Sequence, residues 1–253
     1  MASSEAERAA EAHTLITCKQ LVVGWAEPLL PPIDLTIACG RFVAVVGRNG
    51  SGKSTWFKTL LGEVAPISGS IERSVGLDHV AYVPQSNSFD RILPLSAWDV
   101  VMQGVLHCNN FLRPFASHKQ RQTAKRVMAE VGASDLATHT FGELSQGQRQ
   151  RVMFARMLAT EAELALLDEP TAAMDVVAER ESVARLARLA REHHMAVVMI
   201  SHALDVAERH ADDILLLDRA SQLVLFGPRD EVLAHQAFVD YVRSARQSGE
   251  LRA

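Results

Sequence analysis

The chain has 253 residues, a net charge of −4, 48% hydrophobic and 22% charged residues. That length fits one large domain or two small ones with a sizeable core, and the charge gives no global reason to expect nucleic-acid binding. The longest apolar runs are about six residues, against the roughly 20 a membrane helix needs, so work at a membrane would require another chain to cross it.

Residues 1–13, MASSEAERAAEAH, read as a disordered or weakly helical tail and lack the basic-then-apolar order of a signal peptide. LITCKQLVVGW and PIDLTIACG follow as short strands, an antiparallel β portion near the N-terminus. FVAVV, Phe42 to Val46, is an apolar valine-rich run expected to form a buried strand. It leads into GRNGSGKST, in which Gly47 and Gly52 bracket four residues and Lys53 and Ser54 follow: the phosphate-binding loop pattern. Glycines at Gly47, Gly50 and Gly52 let the backbone of Arg48, Asn49 and Ser51 turn its amides inward. Lys53 supplies a point charge and Ser54 a hydroxyl for Mg²⁺, with Thr55 opening the helix whose positive end faces the anion. Trp56, Phe57, Leu60 and Leu61 share one face of that helix.

VAYVPQ is a short strand ending at Pro84, and Gln85 after it could reach Mg²⁺ or an attacking water, or be a solvated loop residue. Residues 86–140 change character to helical segments without strands, which points to a helical insert of about 86–160. LSQGQRQR starts a helix at Ser145, Gly147 and Gln148: either a serine-capped surface helix or a second anion-binding helix end. LALLDEP runs a buried strand into Asp168, a hard ligand suited to Mg²⁺. Glu169 beside it can take a proton from water, although Asp-Glu before Pro170 also looks like a helix cap. VVAERESVARLARLAREHH repeats apolar residues at helical spacing, and AVVMISH, DILLLD and LVLFG contribute three more strands. His202, past the first of these, is a structural histidine or a group poised at the γ-phosphate. Strands alternating with helices give an α/β parallel sheet covered on both faces. Cys18, Cys39 and Cys108 have no CxxC spacing and read as buried or free thiols. His193 and His194 read as solvated rather than metal-binding.

The ordered set GRNGSGKST, VPQ, LSQGQ, LALLDEP, AAMD and ISH resembles the ABC transporter ATP-binding subunits, over about Leu15 to Leu233. The resemblance implies an ATPase core with a helical subdomain, together 14–235, followed by a short helical tail at 236–253. It implies a head-to-tail homodimer with two ATP between the copies. Gly47 to Thr55 would hold the phosphates, Gln85 would sense Mg²⁺ and the membrane partner, and Asp168 would support Mg²⁺. Glu169 would be the general base and His202 the switch histidine, with Lys53 at the outer phosphates. Ser145, Gly147 and Gln148 would grip the ATP of the other copy, Asp175 would cross the interface, and Trp25 would lie under the adenine, unless it is a core tryptophan. Two departures stand out: Gln146 replaces the family's first glycine in LSGGQ, and Ala172 replaces the serine before the interface aspartate. Within the family, VPQSNSFDRILPLSAWDVVMQG resembles the manganese/zinc importer branch, with siderophore-iron importers close, and exporter or soluble ATPase roles as alternatives. The implied setting is peripheral, on the cytoplasmic side of the inner membrane, with permease subunits and a solute-binding protein as partners and no nucleic acid.

Overall fold

The computed structural model describes residues 13–85, 95–106, 116–172, 174–201 and 203–247. His202, Cys108, Ala173 and the stretches 1–12, 86–94 and 248–253 lie outside the described residues.

Two sheets organise the chain. A three-stranded antiparallel sheet has the order β2 (Ile33–Ala38), β1 (Thr14–Val22), β4 (Ser68–Arg73). A six-stranded sheet has the order β5 (Val80–Val83), β6 (Leu164–Asp168), β7 (Ala196–Ile200), β3 (Phe42–Val46), β8 (Asp213–Asp218), β9 (Leu223–Pro228). Every pairing in it is parallel except β8 with β9. Four of the strands foreseen from apolar runs begin and end where the residues suggested, because each run is flanked by a turn or a charge. β4 was not foreseen. Its sequence SGSIER has one half-buried apolar side chain, Ile71, and the strand hydrogen-bonds only to β1, so tertiary pairing rather than pattern creates it.

Period-2 alternation makes the large sheet a wall between two cores. Phe42, Ala44 and Val46 of β3 face one cluster with Ala165 and Leu167 of β6 and Val197 and Met199 of β7. Val43 and Val45 face the other, with Leu166, Val198, Trp56, Phe57 and the small sheet. The helix α1 (Lys53–Leu60) buries Trp56, Phe57 and Leu60, while Leu61, foreseen on the same face, is only half-buried at its C-terminal end. Burying each of these aromatic side chains contributes on the order of 1.5–3 kcal/mol.

Between β5 and β6 the described residues contain helices and no strand: α2 (Ala97–Val105), α3 (His118–Glu130) and α4 (Gln146–Ala159). Ser96, Ser117 and Ser145 each cap one of them with a reciprocal capping box. The helices share the first of the two clusters, so the helical insert is continuous with one face of the sheet. The chain continues through α5 (Val176–Glu192), α6 (Leu204–His210), α7 (Arg229–Ala234) and α8 (Gln236–Gln247). Val183, Leu186 and Ala190 of α5 are buried, as their spacing foresaw. The stretch read as a helical tail from residue 236 is docked: Phe238, Tyr241 and Ala245 are buried against the same cluster.

Candidate active site

Because β3, β5, β6 and β7 run parallel, their carboxyl ends lie along one edge, where the strand-to-loop crossings of an open α/β sheet leave room for a ligand. Gly47 follows β3 there, Gln85 follows β5 by two residues, and Asp168 ends β6.

The loop after β3 is held by its own backbone. Lys53 Nζ donates to the Gly47 carbonyl at 2.7 Å and to the Arg48 carbonyl at 2.8 Å, and the Ser51 amide donates to the Arg48 carbonyl at 3.1 Å. Gly47 is required by close approach: a Cβ there would sit 2.2 Å from the Leu217 carbonyl oxygen and 2.6 Å from Ser51 Oγ. Gly52 is required by conformation, since it caps α1 at φ 99°. The Ser51 hydroxyl is buried without a hydrogen-bond partner among the described residues. A buried, unpartnered hydroxyl beside a helix start fits the oxygens of a phosphate chain. Asn49 and Gly50 face solvent, and Thr55 is half-exposed on the first turn of α1.

Asp168 is buried and bonded by the Ser54 hydroxyl. Burial is the largest influence and raises its carboxyl above the usual range; the Ser54 bond and the nearby Lys53 charge act the other way, while Glu169 adds to the rise. A hydroxyl and a carboxylate in contact are the hard oxygen donors that Mg²⁺ takes, so the donor set fits that ion. Glu169 sits at φ 47°, in the left-handed region that non-glycine residues seldom adopt. Its Oε2 accepts from Gln85 Nε2 at 2.9 Å. The Asp168-Glu169-Pro170 stretch caps no helix: the Ala172 amide donates to the Glu169 carbonyl at 3.3 Å, closing a turn over 169–172, and the Met174 amide donates to the Thr171 carbonyl at 2.9 Å. The next helix, α5, starts later, capped by Asp175 through the Ala178 amide at 2.9 Å.

Trp25 is 69% exposed, so it is not a core tryptophan; Lys58 Nζ of α1 lies 5.9 Å from its ring centroid. Ser145 and Gln148 are engaged with each other in the cap of α4, the Ser145 amide donating to Gln148 Oε1 at 2.9 Å. A Cβ at Gly147 would meet nothing within 4 Å, so that helix start is open to approach. These three residues line one end of a cavity of about 260 Å³ that also touches Met174 and α5. Phosphate loop, Gln85, Asp168 and Glu169 are therefore brought together; Ser145, Gly147 and Gln148 form a second surface beside α4 and α5, and Asp175 caps α5. Among the described residues no group of three or more metal-ligating side chains occurs, and no helix is long and apolar enough to cross a membrane.

Two side-chain contacts had no signal in the sequence. Thr171 Oγ1 donates to the buried Glu179 carboxylate at 2.8 Å, tying the turn after Glu169 to α5. Arg48 Nη2 donates to Ser244 Oγ at 2.6 Å, joining residues 196 positions apart. Neither pair has a spacing or motif that a linear reading could detect.

Residues 30–172 match the family model described as ABC transporter. The chain is 37% identical over 213 residues to the manganese transport system ATP-binding protein MntB of Bacillus subtilis (strain 168), covering 81% of this chain and 83% of that protein. It is 34% identical over 227 residues to the zinc import ATP-binding protein ZnuC of Pseudomonas entomophila (strain L48), covering 89% and 82%. Among solved structures, an inward-facing metal-chelate type ABC transporter matches at a TM-score of 0.81 and 30% identity, over 92% of this chain and 90% of that one.

Proposed function

The chain belongs to the ABC transporter family as an ATP-binding, ATP-hydrolysing subunit, and from that premise we propose that it powers import of a divalent metal ion or metal chelate through separate membrane subunits. The observation that carries the catalytic part is the convergence of the Lys53 loop, the Ser54–Asp168 pair and the Gln85–Glu169 pair on one sheet edge. The relatives named for manganese and zinc transport support the choice of cargo.

In this reading the free backbone amides of the loop and the Ser51 hydroxyl bind the phosphate chain, and Lys53 exchanges the Gly47 and Arg48 carbonyls for the outer phosphates. Ser54 and Asp168 would hold Mg²⁺, which supplies charge neutralisation at the transferring phosphoryl group. Glu169 accepts a proton from the attacking water, and Gln85, bonded to its carboxylate, orients it. His202 would act as the switch histidine at the γ-phosphate. The exposed face of Trp25 stacks on the base. Two copies close head to tail, each offering Ser145, Gly147 and Gln148 to its partner's nucleotide and Asp175 to the interface. Closure moves the helical inserts and, with them, the membrane subunits on the cytoplasmic face of the inner membrane. A solute-binding protein would deliver the cargo.

The test is recovery of partners from detergent-solubilised native membranes on tagged Glu169→Gln chain with Mg-ATP. A polytopic membrane protein, with a metal-binding subunit beside it, is the expected prey. Ribosomal or DNA-bound proteins in its place would overturn the transport reading.

A further inference from the structure

The helix α8 is fixed to the body of the protein on one side and touches the phosphate loop on the other. Phe238, Tyr241 and Ala245 are buried in the cluster that also contains Phe42, Ala44 and Val46 of β3. The Phe238 and Tyr241 rings lie 6.3 Å apart. Ser244 stands between these anchors, three residues after Tyr241 and next to Ala245, so its hydroxyl is carried by a helix that has little freedom to shift. That hydroxyl accepts from Arg48 Nη2 at 2.6 Å.

Arg48 is a junction within the loop. Its carbonyl oxygen receives both Lys53 Nζ, at 2.8 Å, and the Ser51 amide, at 3.1 Å. A change in the Arg48 backbone therefore moves Lys53 and the turn that carries Ser51. A side chain pinned at its far end restricts the backbone dihedrals available at its near end, which is pre-organisation of a loop by a remote contact. The bond is charge-assisted, and so stronger than one between neutral groups.

We propose that Ser244 is a positioning residue for nucleotide binding: by holding the Arg48 side chain, the C-terminal helix α8 keeps the phosphate loop in its receiving geometry. The inference rests on the ATP-binding reading above. It assigns a role to residues 236–247 that no loop or strand motif in the chain reveals.

Ser244→Val and Ser244→Thr are near-isosteric and both β-branched, and only the second keeps a hydroxyl. On the full chain, Ser244→Val is expected to raise the Kd for Mg-ATP and the KM for ATP about three- to tenfold, the scale of one part-exposed hydrogen bond to a charged group. Its kcat should stay within about twofold, since no group that touches the reacting atoms has changed. Ser244→Thr should restore wild-type affinity. Unchanged affinity in Ser244→Val, or equal weakening in both variants, overturns the proposal, the second because it would trace to packing of α8. Failure of the wild-type chain to bind Mg-ATP is a different result, and would remove the nucleotide reading itself.

Discussion

At the scale of single residues, Asp168 sets function against stability. Its carboxylate is buried, and burial raises it above the usual carboxylate range. A raised acid keeps its proton in the folded chain at pH values where the unfolded chain has lost it. The nucleotide-free protein should therefore lose stability as pH rises from the ordinary aspartate range through the raised one, and level off above it. Asp168→Asn should flatten that part of the pH profile and raise Tm at neutral pH by on the order of a few degrees, while ATP hydrolysis falls to background. Thermal scans from pH 4 to pH 8, read beside a phosphate-release assay, check both halves. Glu169→Gln separates differently: it keeps the planar shape of the carboxylate and an oxygen that can accept from Gln85, so ATP binding and ATP-dependent pairing of chains should persist while kcat falls about 10²- to 10⁴-fold, the range for loss of a general base. Size-exclusion chromatography with ATP and a turnover assay on the same sample decide it. Phosphate-loop residues were legible in the sequence because their chemistry depends on spacing along the backbone. Trp25 was left open between core and surface because a tryptophan in a loop carries no period, and only the structure shows its exposed ring.

At the scale of elements, the turn that opens at Glu169 precedes the Asp175 cap of α5, and its buried tie is Thr171 to Glu179. Thr171→Val removes the donor and leaves a buried carboxylate with one bond fewer, a loss of about 1–3 kcal/mol. Urea unfolding should show a lower midpoint with an unchanged slope, and Glu179→Gln, which can still accept the Thr171 hydrogen bond, should lose less. What the sequence disclosed at this scale follows from burial. Strands buried on both faces, such as FVAVV and LALLD, announce themselves as apolar runs, and α5 by its Val183, Leu186 and Ala190 spacing. The edge strand Ser68–Arg73 does not, since its stability comes from the hydrogen-bond ladder to β1 rather than from its side chains. The turn at 169–172 reads equally as a helix cap in the sequence because Asp, Glu and Pro start helices and turns alike.

For the whole molecule, the large sheet divides the interior, and its central strand links distant parts of the chain. β3 at residues 42–46 hydrogen-bonds to β7 on one side and β8 on the other, through pairs such as Ala44 with Met199 and Val46 with Leu216. A ribosome making this protein must therefore add 170 residues after Val46 to reach Leu216 before the phosphate-loop strand has both neighbours. At bacterial to eukaryotic synthesis rates of about 5–20 residues per second, that is roughly ten to thirty seconds during which an apolar strand has no sheet. Nascent chains halted before residue 196 should be aggregation-prone and bind holdase chaperones, whereas chains released after residue 218 should not; sedimentation of stalled ribosome complexes would show the switch. The parallel order that lines up the candidate catalytic residues along one edge thus also sets a time in synthesis before which those residues cannot meet.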